Sequence, residues 1–199
     1  MRILTNFFAF LLLIAGVVLF VMVLVPSWSS VPTNQQLVKK DVPLPDELHP
    51  KVEEAMDKLV KRAEDKGIDV AITDGHRSKE EQKELYEKGR SKDGQIVTNA
   101  KAGESYHNYG MAIDFALRLD NGNVVWDRER DDNGNGEADW MEVVSIAKDL
   151  GFEWGGDWSS FKDYPHLQMD FGLTIRELQY GKRPQNITYA EETNEDNAS

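Results

Sequence analysis

The distribution of apolar residues divides the chain into one long unbroken apolar segment and several shorter segments with a regular period. The unbroken segment, residues 7–25, contains no charged side chain. About 20 apolar residues span the hydrocarbon core of a bilayer, whereas the apolar region of a cleavable signal peptide is about 7–15 residues long. Residues 7–25 therefore predict an uncleaved transmembrane signal anchor, with secretion after signal cleavage as the alternative.

The segments on either side of the anchor set the expected topology. Residues 1–6 form a short stub whose Arg2 and amino terminus favour the cytoplasmic side. Residues 26–45 are polar and interrupted by prolines, which is typical of a linker. Residues 46–182 then predict the folded, extracytoplasmic domain of a single-pass protein of the cell membrane. Residues 183–199 are acidic and aperiodic and predict a disordered tail.

Three segments of the domain have apolar residues at the spacing of an amphipathic helix. We predict helices over residues 50–66, 79–88 and 139–150. The first and third are followed by Gly67 and Gly151, which commonly end helices. Ser78 and Glu81 have the spacing of a capping box at the start of the second helix.

Three further segments alternate between apolar and polar residues, as strands with one buried face do. They cover residues 68–73, 111–119 and 165–171. Asn121 and Gly122 predict a hairpin turn into a return strand at 123–126, and the glycine-aromatic segment 153–158 is expected to be a loop. Helices and strands together predict an α+β fold in which a small, mainly antiparallel sheet packs against helices.

The alternation places two polar side chains opposite the apolar face of the sheet. Asp114 lies between core-facing residues of one strand, His166 occupies the equivalent face of another, and His107 precedes the first of these strands. Two imidazoles and one carboxylate form a typical catalytic zinc set with an open position for water. The alternative is a structural pair of His107 with Asp114, with His166 on a solvent-exposed face.

Two more residues could take part in chemistry at such a metal. Asp163 lies three residues before His166 and could accept a proton from zinc-bound water, whose pKa falls to about 7. Arg77 lies in the turn between a strand and a helix, from which it could bind a substrate carboxylate or stabilise an oxyanion.

Composition excludes some other classes of function. The formal net charge of −12 argues against a nucleic-acid partner, because phosphate binding requires clustered Lys and Arg. The chain contains no cysteine, which excludes disulfides and thiolate metal ligands.

Three motifs, in order along residues 48–172, resemble those of a known enzyme family. "SYHNYGMAID" is similar to the Ser-x-His-x-x-Gly-x-Ala-x-Asp signature of the zinc D-alanyl-D-alanine metallopeptidases, the VanY-type carboxypeptidases and their relatives. "DYPHLQM" resembles their second zinc motif, and "ITDGHRSKEEQKELYEKGR" resembles their arginine segment. The longer stretch "LGFEWGGDWSSFKDYPHLQMDFG" is most similar to the bacterial and phage L-alanyl-D-glutamate endopeptidases, which cut the peptidoglycan stem peptide.

The resemblance implies a role for each matching residue. The implied zinc ligands are His107, Asp114 and His166. Asp163 is implied as the catalytic acid/base and Arg77 as a catalytic contact to substrate or transition state, while Ser105 and Gln82 are implied to bind substrate.

The implied reaction is hydrolysis of the stem peptide between L-Ala and D-Glu by a zinc-activated water, in a monomeric enzyme. Two alternatives stay open, namely a D-alanyl-D-alanine carboxypeptidase at the same metal and a non-catalytic cell-wall-binding or sensor module.

A second motif predicts a calcium site. "DDNGNGEADWME", residues 131–142, fits the calcium-loop pattern D-x-[DN]-x-[DN]-G-x5-E. The pattern assigns oxygen ligands to Asp131, Asn133, Asn135, Glu137 (through its carbonyl) and Glu142. The alternative is a capping box formed by Asp139 and Glu142 after ordinary Asn-Gly turns.

Overall fold

The computed structural model describes residues 39–184, so the predicted stub, the predicted anchor and most of the acidic tail lie outside the described residues. Within this range no helix is both long and apolar enough to cross a bilayer. The helices and strands, in chain order, are α1 (Pro50–Glu64), β1 (Val70–Asp74), α2 (Lys79–Glu87), β2 (Ala112–Arg118), β3 (Val124–Val125), α3 (Asp139–Asp149), β4 (Glu153–Trp154), β5 (His166–Gln168) and α4 (Ile175–Gln179).

The strands form one antiparallel sheet in the order β1-β2-β5-β4, and β3 pairs with the end of β2. The predicted α+β class with a small antiparallel sheet is therefore confirmed. In the register of the sheet, Asp74 of β1 lies opposite Asp114 of β2, and Asp114 lies opposite His166 of β5. A row of three polar residues thus runs across β1, β2 and β5.

The opposite face of the sheet carries the hydrophobic core. Ile113 and Phe115 are fully buried there, and the Phe115 and Trp140 rings lie 4.4 Å apart between centroids. α1 and α3 both contribute their apolar stripes to this core. Because successive side chains of a strand point to opposite faces, burial of Ile113 and Phe115 directs Asp114 to the other side.

The start of α2 follows the predicted capping signal, whereas the start of α3 departs from the one considered for it. At α2, Ser78 and Glu81 form the predicted capping box. At α3 the N-cap is Ala138, whose side chain makes no capping hydrogen bond. The capping box considered for Asp139 and Glu142 is therefore wrong, because Asp139 is already the first residue of the helix.

Three features differ from the prediction. The segment expected to be a loop at 153–158 contains the short edge strand β4, and α4 was not predicted. Part of the expected linker lies against α4, since the Lys40 backbone N–H donates to the Tyr180 carbonyl (3.1 Å) and Arg183 donates to the Val42 carbonyl (2.9 Å).

Candidate metal centre

Three of the predicted site residues bring one ligand atom each to a common point. His107 Nε2 lies 3.1 Å from His166 Nδ1 and 3.3 Å from Asp114 Oδ1, and the last two atoms are 3.2 Å apart. β2 and β5 supply Asp114 and His166, and a short 3-10 helix, Tyr106–Tyr109, supplies His107. Both histidines are buried, with exposed fractions of 2% and 5%.

Neighbouring groups fix which nitrogen of each imidazole carries a proton. His107 Nδ1 lies 2.7 Å from the Gly75 carbonyl, and an oxygen that only accepts requires an N–H there. His166 Nε2 lies 3.1 Å from Gln168 Oε1. The Gln168 amide is oriented by its Nε2, which donates to Glu153 (3.0 Å). In its neutral form each ring therefore directs a lone pair to the common point, whereas in its protonated form it directs an N–H there.

This donor set fits a zinc ion. Three acceptor atoms in mutual contact repel one another unless a proton or a cation lies between them. Zinc binds His N and carboxylate O at about 2.0–2.1 Å, and two ligands of a tetrahedral ion at that distance are about 3.3 Å apart. The three observed separations, 3.1 to 3.3 Å, match this value, and the hydrogen bonds behind the imidazoles are those that metal-ligating histidines usually make.

The ionisation of the cluster reflects the same contacts. Burial disfavours the Asp114 carboxylate, but hydrogen bonds to His107 and His166 outweigh burial and hold the pKa of Asp114 well below its ordinary value. Burial also opposes the charged form of His166, yet the hydrogen bond to Asp114 raises the pKa of His166 above its ordinary value. Asp114 is thus an anion that favours a cation between these groups.

Arg77 lies beside the cluster and is held in place on several sides. Its guanidinium donates to the Asp74 carboxylate through Nε and Nη2, and Nη1 donates to Gln82 Oε1 (2.9 Å). Nη2 also lies 3.6 Å from Asp114 Oδ2, the oxygen not facing the histidines. Arg77 lines the cleft and at the same time neutralises part of the charge of Asp114.

Gln82 lies behind Arg77 rather than in the cleft. Its side chain has no exposed surface, accepts from Arg77, and donates to the Ala100 carbonyl (2.8 Å). The assignment of Gln82 to substrate binding therefore needs correction, because a fully buried amide in contact with Arg77 positions that residue instead of touching a ligand.

The cluster opens into a cleft of about 830 Å³. Ser105, Asp163 and the aromatic Trp158 line this cleft with the three cluster residues. Trp158 lies against His166, with ring centroids 5.2 Å apart. The Ser105 side chain makes no capping bond to the 3-10 helix that follows it. The structure thus brings Ser105, Asp163 and Arg77 to the same opening as the candidate ligands.

Asp163 has the properties of a general base or acid. Burial raises the pKa of its carboxyl, because desolvation disfavours the charged form. Its backbone is fixed next to His166, whose N–H donates to the Asp163 carbonyl (3.3 Å). A carboxyl with a raised pKa transfers protons near neutral pH more readily than an ordinary aspartate.

Gly155 permits the close approach that positions Asp163. A Cβ atom at Gly155 would lie 2.4 Å from the Asp163 carbonyl oxygen and 3.2 Å from His166 Cβ. The segment around Asp163 therefore packs directly on the Gly155 backbone.

We expect Gly155→Ala to lower kcat/KM by about 100-fold, because relieving this overlap requires a shift of about 1 Å, and a misplacement of that size costs about that factor. Steady-state kinetics would measure the loss. Gly75→Ala is the matched control, since a Cβ there would meet only Leu48 at 3.8 Å. Equal activities of the two variants would contradict this account.

The residues of the predicted calcium loop also converge. Glu142 is buried and accepts from the side-chain amides of Asn133 (2.8 Å) and Asn135 (2.6 Å). Asp131 accepts from the Asn135 backbone N–H (3.1 Å), whereas the Glu137 N–H donates to the Asn135 side chain (2.7 Å). Glu142 therefore holds the loop together by accepting hydrogen bonds from two of its side chains.

Sequence reasoning missed several residues that support the cluster. Asp74 binds Arg77, Gln168 orients His166, and Asn108, which is fully buried, donates to the Arg77 carbonyl (2.8 Å). The available signals were Gln168 on the same face as His166, two residues further on, and the polar Asn108 directly after His107. Asp74 precedes a glycine and looked like an ordinary turn residue.

Comparison with known proteins shows clear relatives. The D-alanyl-D-alanine carboxypeptidase family profile matches residues 98–169. The chain is 60% identical over 136 residues to the peptidoglycan L-alanyl-D-glutamate endopeptidase CwlK of Bacillus subtilis, covering 68% of this chain and 81% of the relative. It is 39% identical over 114 residues to the L-alanyl-D-glutamate peptidase of Listeria phage A118, covering 57% of this chain and 35% of the phage enzyme.

Solved structures give weaker similarities. The L-Ala D-Glu endopeptidase ChiX of Serratia marcescens matches with a TM-score of 0.42 and 25% identity, over 66% of this chain and 84% of that chain. The L,D-carboxypeptidase DacB from Streptococcus pneumoniae matches with a TM-score of 0.46 and 22% identity, over 69% and 79% respectively.

Proposed function

This chain belongs to the metallopeptidase family that includes the L-alanyl-D-glutamate endopeptidases, and we propose that it is a zinc-dependent peptidoglycan hydrolase that cleaves the stem peptide between L-Ala and D-Glu. The observation that carries the proposal is the convergence of His107 Nε2, Asp114 Oδ1 and His166 Nδ1 within 3.3 Å of one another. The endopeptidase relative that is 60% identical supports the choice of bond.

His107, Asp114 and His166 would hold the zinc ion. When bound, zinc supplies Lewis-acid chemistry that polarises a peptide carbonyl and acidifies water. Asp114 would contribute the one negative charge among the three ligands, and Arg77 offsets part of it. The centre would therefore keep the net positive charge that Lewis-acid chemistry requires.

Asp163 would move the proton in hydrolysis. Its carboxylate takes a proton from the attacking water and passes it to the leaving amide nitrogen, which needs a group that both accepts and donates. The raised pKa of Asp163 suits this double role. Arg77 would stabilise negative charge that develops on the substrate oxygen, and the Ser105 hydroxyl would hold the peptide backbone at the rim of the cleft.

A retained base also favours hydrolysis over the non-catalytic alternative. A cell-wall-binding module has no need of a desolvated carboxyl beside the metal, whereas peptide hydrolysis does. The presence of Asp163 therefore favours peptide hydrolysis over a non-catalytic cell-wall-binding module.

Digestion of purified muropeptides tests the proposal. The zinc-loaded enzyme should release fragments with a new D-Glu amino terminus, identified by mass spectrometry. Release of free D-Ala would instead identify a carboxypeptidase, and intact muropeptides together with measurable binding would identify a wall-binding module. Either of the last two results contradicts the proposal.

We also propose that residues 7–25 anchor the domain to the outer face of the cell membrane. The support is the length and lack of charge of this segment. Membrane fractionation followed by intact-mass analysis should find the full-length chain in the membrane fraction, and a shortened chain in the medium would show cleavage and secretion instead.

A further inference from the structure

The loop that leads into α3 gathers oxygen atoms at a second place, and none of residues 131–142 lines the catalytic cleft. Asp131 bends the loop back on its own start, because its two carboxylate oxygens accept from the backbone N–H groups of Asn135 (3.1 Å) and Gly136 (3.0 Å). Gly136 has a φ of +90°, which permits the sharp turn that calcium loops require at this position.

Glu142 closes the loop from the other side. Its side chain is only 3% exposed, and Oε1 accepts from the side-chain amides of Asn133 and Asn135. A half-turn of each amide exchanges its nitrogen with its oxygen. The rotation gives up the hydrogen bonds that the two oxygens accept from the backbone N–H groups of Asn135 (3.0 Å) and Glu137 (2.7 Å), so coordination of the cation has to outweigh them. After that rotation, the side-chain oxygens of Asn133 and Asn135 would face Glu142 Oε1, and a cation could lie among the three oxygens.

Asp139 gives an independent indication of a cation. The residue is 2% exposed, and its Oδ2 accepts from the Asp132 backbone N–H (2.9 Å), which places the carboxylate against the loop. Its Oδ1 is buried and has no hydrogen-bond partner within residues 39–184. A buried carboxylate oxygen without a partner is costly. Asp139 is also the ninth residue of the loop, a position that commonly binds calcium through water.

The basic side chains beside the loop do not balance the negative charge of its carboxylates. Lys66 Nζ lies 2.5 Å from Glu142 Oε2, and the Lys66 side chain is 50% exposed. Among the described residues Lys66 pairs with Glu142 alone. The nearby Arg130 pairs with Asp132, while its charge also acts on Asp139. Two cationic groups therefore stand against the four carboxylates of Asp131, Asp132, Asp139 and Glu142. Because Lys66 is half exposed, its ammonium can leave Glu142 for solvent when another cation takes its place.

We propose that residues 131–142 bind one calcium ion, which replaces the ammonium of Lys66 at Glu142. Calcium takes six to eight oxygen ligands at flexible geometry. The ligands are the side chains of Asp131, Asn133, Asn135 and Glu142, the carbonyl oxygen of Glu137, and Asp139 directly or through water.

The site lies where it can stabilise the domain. Trp140, the second residue of α3, packs on Phe115 of β2, next to the candidate ligand Asp114. Calcium would therefore fix the start of a helix that supports the central strand.

Calorimetric titration of the zinc-loaded full chain in detergent tests the proposal, since bound zinc excludes calcium from the catalytic cluster. We expect one calcium per chain with Kd between about 10⁻⁵ and 10⁻³ M, as in sensor and extracellular loops. Calcium at 100 times Kd should raise Tm by roughly 5 °C or more, and magnesium at the same concentration should raise it much less. No calcium heat, or an equal effect of magnesium, would overturn the proposal.

Three variants localise the ion. Asp131→Asn should weaken calcium binding at least about tenfold, because ligand charge sets affinity in such loops. Asp132→Asn is the matched control, since the Asp132 side chain pairs with Arg130 and should leave Kd within about twofold. Lys66→Gln should tighten binding several-fold by removing the competing ammonium. Equal losses for Asp131→Asn and Asp132→Asn, or no gain for Lys66→Gln, would refute this site.

Discussion

Replacing Asp163 by asparagine should lower kcat by about 10²–10⁴-fold while one zinc ion per chain is retained. The asparagine amide has nearly the same size as the carboxyl but can neither take a proton from water nor return it to the leaving nitrogen, and general acid–base catalysis contributes a factor of this magnitude. Zinc should stay because the three candidate ligand atoms come from other residues. Single-turnover kinetics on a muropeptide and elemental analysis of the same sample would measure both quantities.

Asp157→Asn is the control for this experiment. It makes the same chemical change at a half-exposed side chain that pairs with Lys148 and does not line the cleft. Its kcat should stay within about twofold of the unsubstituted enzyme, as most surface changes do. Full activity of Asp163→Asn would assign the proton transfer to another group.

Replacing His166 by alanine should abolish zinc binding and lower turnover by about 10⁴-fold or more, since Lewis-acid and proton-transfer chemistry are then lost together. The substitution removes one of the two imidazoles and leaves Asp114 with a single histidine partner. Zinc content should fall from about one per chain to a trace. Elemental analysis after dialysis against a weak chelator would record the loss.

His76→Ala is the histidine control. His76 does not belong to the three-residue cluster, so zinc content should be unchanged even if the nearby Arg77 shifts and alters the rate. Retention of stoichiometric zinc by His166→Ala would show that the metal is held elsewhere, and the proposed centre would then be wrong.

The three candidate ligands could be predicted from the sequence because each stands out against a simple local pattern. Asp114 lies between Ile113 and Phe115, which are fully buried in the core and fix the register of the strand. Alternation then determines which way Asp114 points. His166 follows from the same rule on β5, and His107 follows from its place directly before the strand that carries Asp114. The family resemblance implies the same three ligands.

The supporting contacts could not be predicted because they depend on tertiary packing. Arg77 and Gln82 are five residues apart, and nothing local shows that the amide would be buried behind the guanidinium. Glu153 orients Gln168 through a pairing of β4 with β5, and β4 is only two residues long, too short for a periodic pattern.

The short helix α4 could not be predicted for the same reason, because its formation depends on tertiary packing. Its five residues give little more than one turn, so only the capping box of Thr174 and Glu177 could have indicated it. Its anchor is Leu178, which is buried against Tyr109 and Met111. Contacts this distant in sequence determine whether so short a helix forms.

The polar row Asp74–Asp114–His166 makes metal binding depend on the correct register of the strands. A slip of β2 by one residue against β5 would bury the Asp114 carboxylate and turn Ile113 towards the metal. A misaligned chain could therefore neither complete its core nor retain zinc, and metal content becomes a direct assay for correctly folded molecules. Incorrectly assembled enzyme would be inert towards the cell wall, a useful safeguard for a hydrolase of that polymer.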